Sequence, residues 1–109
     1  MSKDYLNYVL DTLSVCGAVT ARAMFGGYGI YKDGVIFAII AEDELYFKVD
    51  GSNINQYKEL GSEPFVFQSK GKSTTMSYWK LPLEIMEEES LLVDWVNQSC
   101  LASIRGKKK

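Results

Sequence analysis

Apolar positions recur along this chain with two periods, and the switches between them mark out its elements. In residues 2–16 they fall four apart: Tyr5, Val9 and Leu13, flanked by Leu6 and Leu10, with Lys3, Asn7, Asp11 and Ser14 opposite. That spacing predicts an amphipathic helix with one side to bury. Ser2 suits its N-cap, Asp4 its first turn and Gly17 its stop. The period then shortens. Residues 20–24 read as a short strand, broken by Gly26 and Gly27, and residues 28–32 resume it. Asp33-Gly34 is a hairpin turn signal. Residues 35–41 are apolar throughout, which predicts a central strand covered on both sides. Simple alternation puts Val35, Phe37 and Ile39 on one face and Ile36, Ala38 and Ile40 on the other. A turn at Glu42-Asp43-Glu44, whose third residue is able to pair, leads to Leu45, Phe47 and Val49 alternating with Tyr46 and Lys48.

The stretch 22–50 is thus an antiparallel meander around which the rest is arranged. Residues 53–60 form a second helix, with Ile54, Tyr57 and Leu60 on one face and Gly61 as its stop. Strands at 65–68 and 73–81 flank a turn at Lys70-Gly71-Lys72. Phe65 and Phe67 share a side, and Met76, Tyr78 and Lys80 alternate with Ser77, Trp79 and Leu81. Pro82 ends pairing and opens a helical turn. A last helix at 88–104 spaces Leu92, Val96 and Cys100 by four, with Leu91 and Trp95 beside them. Glu87, Glu88 and Glu89 lie at its start and Arg105 at its end. Strands and helices segregate, which predicts an α+β fold with helices on one face of an antiparallel sheet.

At 109 residues the chain is one domain, long enough to bury roughly 65% of its unfolded surface. The net charge of −2 provides no broad positive field for nucleic acid. Residues 1–4 begin no signal peptide, and no apolar run approaches the ~20 residues of a membrane span. A cytoplasmic protein with Cys16 and Cys100 reduced is therefore expected, and no membrane partner.

The composition removes several chemistries. There is no histidine, so histidine-based triads are ruled out and the usual metal ligand is missing. Gly71-Lys72-Ser73 resembles the end of a P-loop, but Val66 stands where its first glycine belongs. Gly27-Tyr28-Gly29 opens a dinucleotide fingerprint that ends on Lys32. Carboxylate runs at 42–44 and 87–89 read as a solvated turn and a helix start. No catalytic residue, cofactor or metal is expected. Arg22, Lys48 and Tyr78 remain, each on a predicted strand. They form an anion-binding face, or, on the favoured reading, charges lying over aromatic neighbours. Gly26, Gly27 and Gly29 imply a bend or close approach of another backbone, favoured over a ligand site.

The run Arg22-Ala23-Met24-Phe25-Gly26-Gly27-Tyr28-Gly29-Ile30-Tyr31 resembles the signature of the TfoX/Sxy N-terminal domain family. The likeness continues through Phe37-Ala38, Leu45 to Asp50, Asn53, Gly61, Pro64-Phe65, Met76-Ser77-Tyr78, Leu81-Pro82 and Trp95. It implies an α-β-β-β-α-β-β-α domain of the secretion-chaperone-like type. It also implies a non-enzymatic bacterial regulator of natural DNA transformation, acting on competence genes, with the cyclic-AMP receptor protein as associated factor. Full-length regulators of the family carry a C-terminal domain resembling a helix-hairpin-helix module, and none is expected in these residues.

Three functions follow as expectations. The first is a regulatory domain that binds a protein, a transcription factor or a second copy of itself. It would use the apolar strand 35–41 and the aromatic set Tyr28, Tyr31, Tyr46, Phe65, Tyr78 and Trp79. The alternative is nucleic-acid binding through Arg22, Lys32, Lys48, Lys70, Lys72 and the basic tail at 107–109. Third comes a small-ligand or enzyme site at Arg22 and the glycine turn. Of the motif residues, Arg22, Met24, Phe25, Gly26, Gly27, Tyr28, Gly29, Lys48 and Tyr78 are the interaction candidates.

Overall fold

The computed structural model describes residues 3–24 and 27–107. Ser2, Phe25, Gly26, Lys108 and Lys109, to which the sequence assigns roles, lie outside the described residues. The order is α1 (Lys3–Leu13), a 3₁₀ turn (Ser14–Cys16), β1 (Val19–Met24), β2 (Gly27–Lys32), β3 (Val35–Ala41), β4 (Glu44–Lys48), α2 (Ile54–Glu59), β5 (Pro64–Ser69), β6 (Lys72–Lys80), α3 (Leu83–Met86) and α4 (Glu89–Lys107). All six strands join one antiparallel sheet in the order β1-β2-β3-β4-β6-β5. The α+β class read from the sequence is the observed one. Four strands precede α2, β1 and β2 counting separately.

Three tight turns set the sheet's register. Asp33-Gly34, Glu42-Asp43 and Lys70-Gly71 all have positive φ at both residues. This is the backbone hand that matches strand twist in two-residue hairpins. Glycine makes it cheap in the first and third. Glu42 and Asp43 adopt it without glycine, and Glu44 already pairs with Ala41.

One face of the sheet is covered by helices. Val9 and Leu13 of α1, Cys16, and Leu92, Trp95 and Val96 of α4 bury against Ile30, Phe37, Ala38, Ile40, Leu45, Phe47 and Val49. Phe37 meets Phe47 edge-on at 5.6 Å, and Tyr57 of α2 packs on Trp95 at 4.5 Å. Leu60 and Leu91, assigned to buried helix faces from spacing, are exposed. Asn53 closes the β4–α2 loop from inside: its Nδ2 donates to the Lys48 carbonyl and its Oδ1 accepts from Asp50 N–H. Outside, Arg105 Nε donates to Asp50 Oδ2 at 2.8 Å and its Nη2 to Ser52 Oγ, tying α4 to that loop.

The structure corrects the simple alternation in β3. Ile30 pairs with Ala38 and Tyr31 with Ile36, so Phe37 has no partner of its own on β2. This β-bulge resets the strand's phase. Phe37, Ala38 and Ile40 all enter the helix-side core. Ile36 and Ile39 turn to the other face and are only half-buried. That face has no helix against it among the described residues, so β3 is covered on one side and not on two.

A second irregularity lies between Pro64 and Val66. Below it, β6 pairs with β4 only at Tyr78, Trp79 and Lys80, with Val49 N–H reaching the Ser77 carbonyl. Val66 to Ser69 and Lys72 to Thr75 pair only with each other. The end of the β5–β6 hairpin therefore runs past the sheet as a two-stranded ribbon.

Candidate functional site: an apolar groove on the uncovered sheet face

The face without helices is concave. Met24 of β1 and Phe67 of β5 sit on the two edge strands, which a flat sheet would hold about 24 Å apart at ~4.8 Å per strand. Both line one groove of about 360 Å³, together with Ile36, Ile39, Phe65 and Met76. Strong coiling of the sheet brings the edges toward each other, and the β5–β6 ribbon becomes one wall. The lining is aliphatic, thioether and aromatic, and the two methionines make it adaptable.

The glycine signature explains the floor. A Cβ on Gly27 would lie 2.0 Å from the Ile40 carbonyl oxygen, so β2 and β3 meet there without room for a methyl group. At Gly29 a Cβ would stand 2.6 Å from Met24 Sδ and 3.1 Å from Ile36 Cδ1. The missing side chain lets both fold down over the strand. Close backbone approach is thus the reason for Gly27, and space for neighbouring side chains the reason for Gly29.

Charges border the groove at opposite ends. The Arg22 guanidinium lies 5.7 Å from the Tyr31 ring centre, and Lys48 Nζ lies 5.2 Å from that of Tyr78 while donating to Ser77 Oγ at 2.6 Å. Burial, and then the neighbouring Tyr31, push the Tyr78 phenol up. At the other end Lys80 pairs with Glu44 at 2.7 Å, and Tyr46 lies 5.0 Å from Phe65. Burial first, then Glu44, raise the Tyr46 phenol; Lys80 opposes, and Glu42 and Glu63 add to the rise. Glu44 and Lys48 are four residues apart along β4, about 13 Å at ~3.3 Å per residue. One end of the rim therefore carries Arg22 and Lys48, and the other carries Glu42, Glu44 and Glu63 around Lys80.

The candidate residues fall as follows. Arg22, Met24, Gly27, Tyr28, Gly29, Lys48 and Tyr78 all belong to the strands that build or border the groove. Phe25 and Gly26 lie outside the described residues. Arg22 and Lys48 stand on β1 and β4 with two strands between them, so they border the groove separately instead of converging on one anion. Trp79 and Tyr28 both pack against the helix-side core, so Trp79 leaves the aromatic set of the open face, while Tyr28 also borders the groove. Lys32 reaches Asn97 Oδ1 of α4 at 3.3 Å on the helix side, while Lys70 and Lys72 sit at the hairpin tip. Among the described residues the basic side chains do not form a continuous stripe. Ile36, Ile39 and Met76 were not singled out from sequence. The β3 bulge hides the first two, and only Met76's alternation with Ser77 pointed to the third.

The chain matches a family model, described as TfoX N-terminal domain, over residues 11–103. It is 29% identical over 93 residues to DNA transformation protein TfoX1 of Aliivibrio fischeri, covering 85% of this chain and 44% of that protein. Protein Sxy of Escherichia coli is 22% identical over 97 residues, covering 89% and 46%. DNA transformation protein TfoX of Haemophilus influenzae is 33% identical over 85 residues, covering 76% and 38%. The chain spans about half the length, or less, of these curated relatives.

Proposed function

The chain belongs to the TfoX N-terminal domain family, and from that membership we infer that it is a non-enzymatic regulatory domain that acts by binding another protein. The relatives are named for DNA transformation, so the process it serves is the control of competence, in the cytoplasm. One observation supports protein contact as the mode: a concave apolar groove that no helix covers among the described residues. Exposed apolar surface of this kind marks a recognition site. Cationic side chains scattered over both sheet faces and a hairpin tip support nucleic-acid binding less well.

A domain exchange tests the reading. The matching N-terminal part of the Haemophilus influenzae relative is replaced by this chain, and transformation is measured in cells. The chimera is expected to support transformation, and Ile39→Asp within it to abolish transformation at unchanged protein level. A well-expressed chimera with no transformants would sink the regulatory reading. Full activity of the Ile39→Asp chimera would remove the groove as the contact surface.

A further inference from the structure

The groove's shape and the polarity of its rim specify an occupant more narrowly than "a protein". We propose that it takes an amphipathic helix from a partner protein, acidic at the end beside Arg22 and Lys48 and basic at the end beside Glu42, Glu44 and Glu63. The inference rests on the reading of the groove as a protein contact and adds the partner's form and charge order.

Shape comes first. Two copies of a concave face meet at their rims and leave the space between them unfilled, whereas a convex rod fills it. At ~30 Å³ per water-sized unit, a groove of about 360 Å³ has room for about a dozen heavy atoms, or roughly three leucine side chains. Apolar residues at i, i+3 or i+4 and i+7 of a helix supply that number on one face. Charge comes second. Arg22 and Lys48 each lie over a tyrosine on the open face, and at the other end Lys80, paired with Glu44 at 2.7 Å, is outnumbered by Glu42, Glu44 and Glu63 around Tyr46. A helix with Glu in its first turn and Lys in its last fits these ends in one direction and is repelled in the other. That order also favours the helix's own dipole, so the preferred ligand is a well-formed helix before it binds.

The test uses two fluorescein-labelled peptides of about four helical turns that share one leucine stripe. The first has Glu in the first turn and Lys in the last; the second has Lys in both. In fluorescence anisotropy with the wild-type chain, the acid-first peptide is expected to bind at least about tenfold tighter. The double variant Arg22→Glu/Lys48→Glu should reverse the preference, and Ile39→Asp should abolish binding of both, with circular dichroism showing all variants folded. The peptide comparison in the wild-type chain needs no variant to fold. Equal affinities for the two peptides would overturn the charge order. Failure of both to bind would overturn the helical occupant. In either case the reading of the groove as a protein contact stands if Ile39→Asp still inactivates the chimera. Displacement of the peptide by single-stranded DNA, with direct binding of labelled single-stranded DNA lost in Ile39→Asp, would overturn the proposal in favour of nucleic acid. Self-association that Ile39→Asp abolishes would overturn it in favour of a second copy.

Discussion

Adding one methyl group at Gly27 is expected to cost far more than adding the same group two residues later. The Cβ of a Gly27→Ala variant would lie 2.0 Å from the Ile40 oxygen and 3.2 Å from its carbonyl carbon. An ordinary carbon–oxygen contact begins near 3.3 Å, so β2 and β3 must separate by about 1.3 Å. Neither group is a side-chain end that can swing away. Such a gap takes adjacent ladder hydrogen bonds beyond their ~3.2 Å limit, at about 1 kcal/mol for each bond lost. With the strain of overpacking, about 1–3 kcal/mol, Gly27→Ala should destabilise by about 2–4 kcal/mol. At Gly29 the contacts are Met24 Sδ, Ile36 Cδ1 and Tyr31 Cε1, all on side chains that can shift. Loss of glycine's backbone freedom there returns about 0.5–1 kcal/mol, so Gly29→Ala should stay within about 1 kcal/mol of wild type. Urea unfolding followed by tryptophan fluorescence measures both. For a domain of this size the Gly27 variant should melt roughly 8–30 °C lower, at ~4–8 °C per kcal/mol. Gly27→Ala within about 1 kcal/mol of wild type, or Gly29→Ala as damaging as Gly27→Ala, would refute the assignment of the two glycines to backbone and side-chain contacts.

Other expectations concern the β4–α2 loop and the thiols. Asn53→Ala strands the Lys48 carbonyl and the Asp50 N–H inside the protein and should cost about 1–3 kcal/mol in urea unfolding; a loss below about 0.5 kcal/mol would show that water replaces the side chain. Arg105 and then Ser52 hold the Asp50 carboxyl well below the ordinary carboxylate range. A depressed folded-state pKa stabilises above the unfolded value of about 4 and is lost as pH falls below it. Arg105→Gln should therefore lower the melting temperature at pH 7, by a deficit that narrows progressively as the pH falls below about 4 and closes only below the folded-state pKa; a deficit unchanged by acid would contradict this. Burial pushes the Cys16 and Cys100 thiols up, with Lys32 opposing. Both are free, and a disulfide-exchange reagent at pH 8 should label them at least about tenfold more slowly in the native chain than in urea.

The local signals in this chain were easy to read because they are chemical. Asp33-Gly34 announces its turn, the four-residue spacing of Val9 and Leu13 its helix, and the alternation of Leu45, Phe47 and Val49 its sheet face. All three appear where the sequence puts them. The groove was harder to read because it depends on geometry that residue type does not encode. Nothing in VIFAIIA distinguishes an alternating strand from one carrying a bulge at Phe37, since every candidate residue is apolar. The bulge decides that Ile36 and Ile39 look outward. Sheet coiling is equally silent in sequence: Met24 and Phe67 are 43 positions apart on opposite edges, and no periodicity links them. The glycines gave notice that something approached closely. They could not say that at Gly27 it was the Ile40 carbonyl and at Gly29 the Met24 thioether.

One wall of the groove has a thermodynamics of its own. The ribbon of Val66 to Ser69 and Lys72 to Thr75 is hydrogen-bonded only within itself. A two-stranded ribbon alone is marginally stable in water. Its amides should then exchange with solvent through local unfolding, at a free energy below that which opens the β2–β3 centre of the sheet. Phe67 and Met76, at the base of this ribbon, line the groove, so an occupant that packs against them couples its binding to the ribbon's closure. Hydrogen-exchange protection of residues 66–76, measured with and without a ligand, would read occupancy directly from a segment that need not touch the ligand along its whole length. Affinity would be lowered by the work of closing the wall, and selectivity raised, because only a ligand that fills the groove well recovers that work.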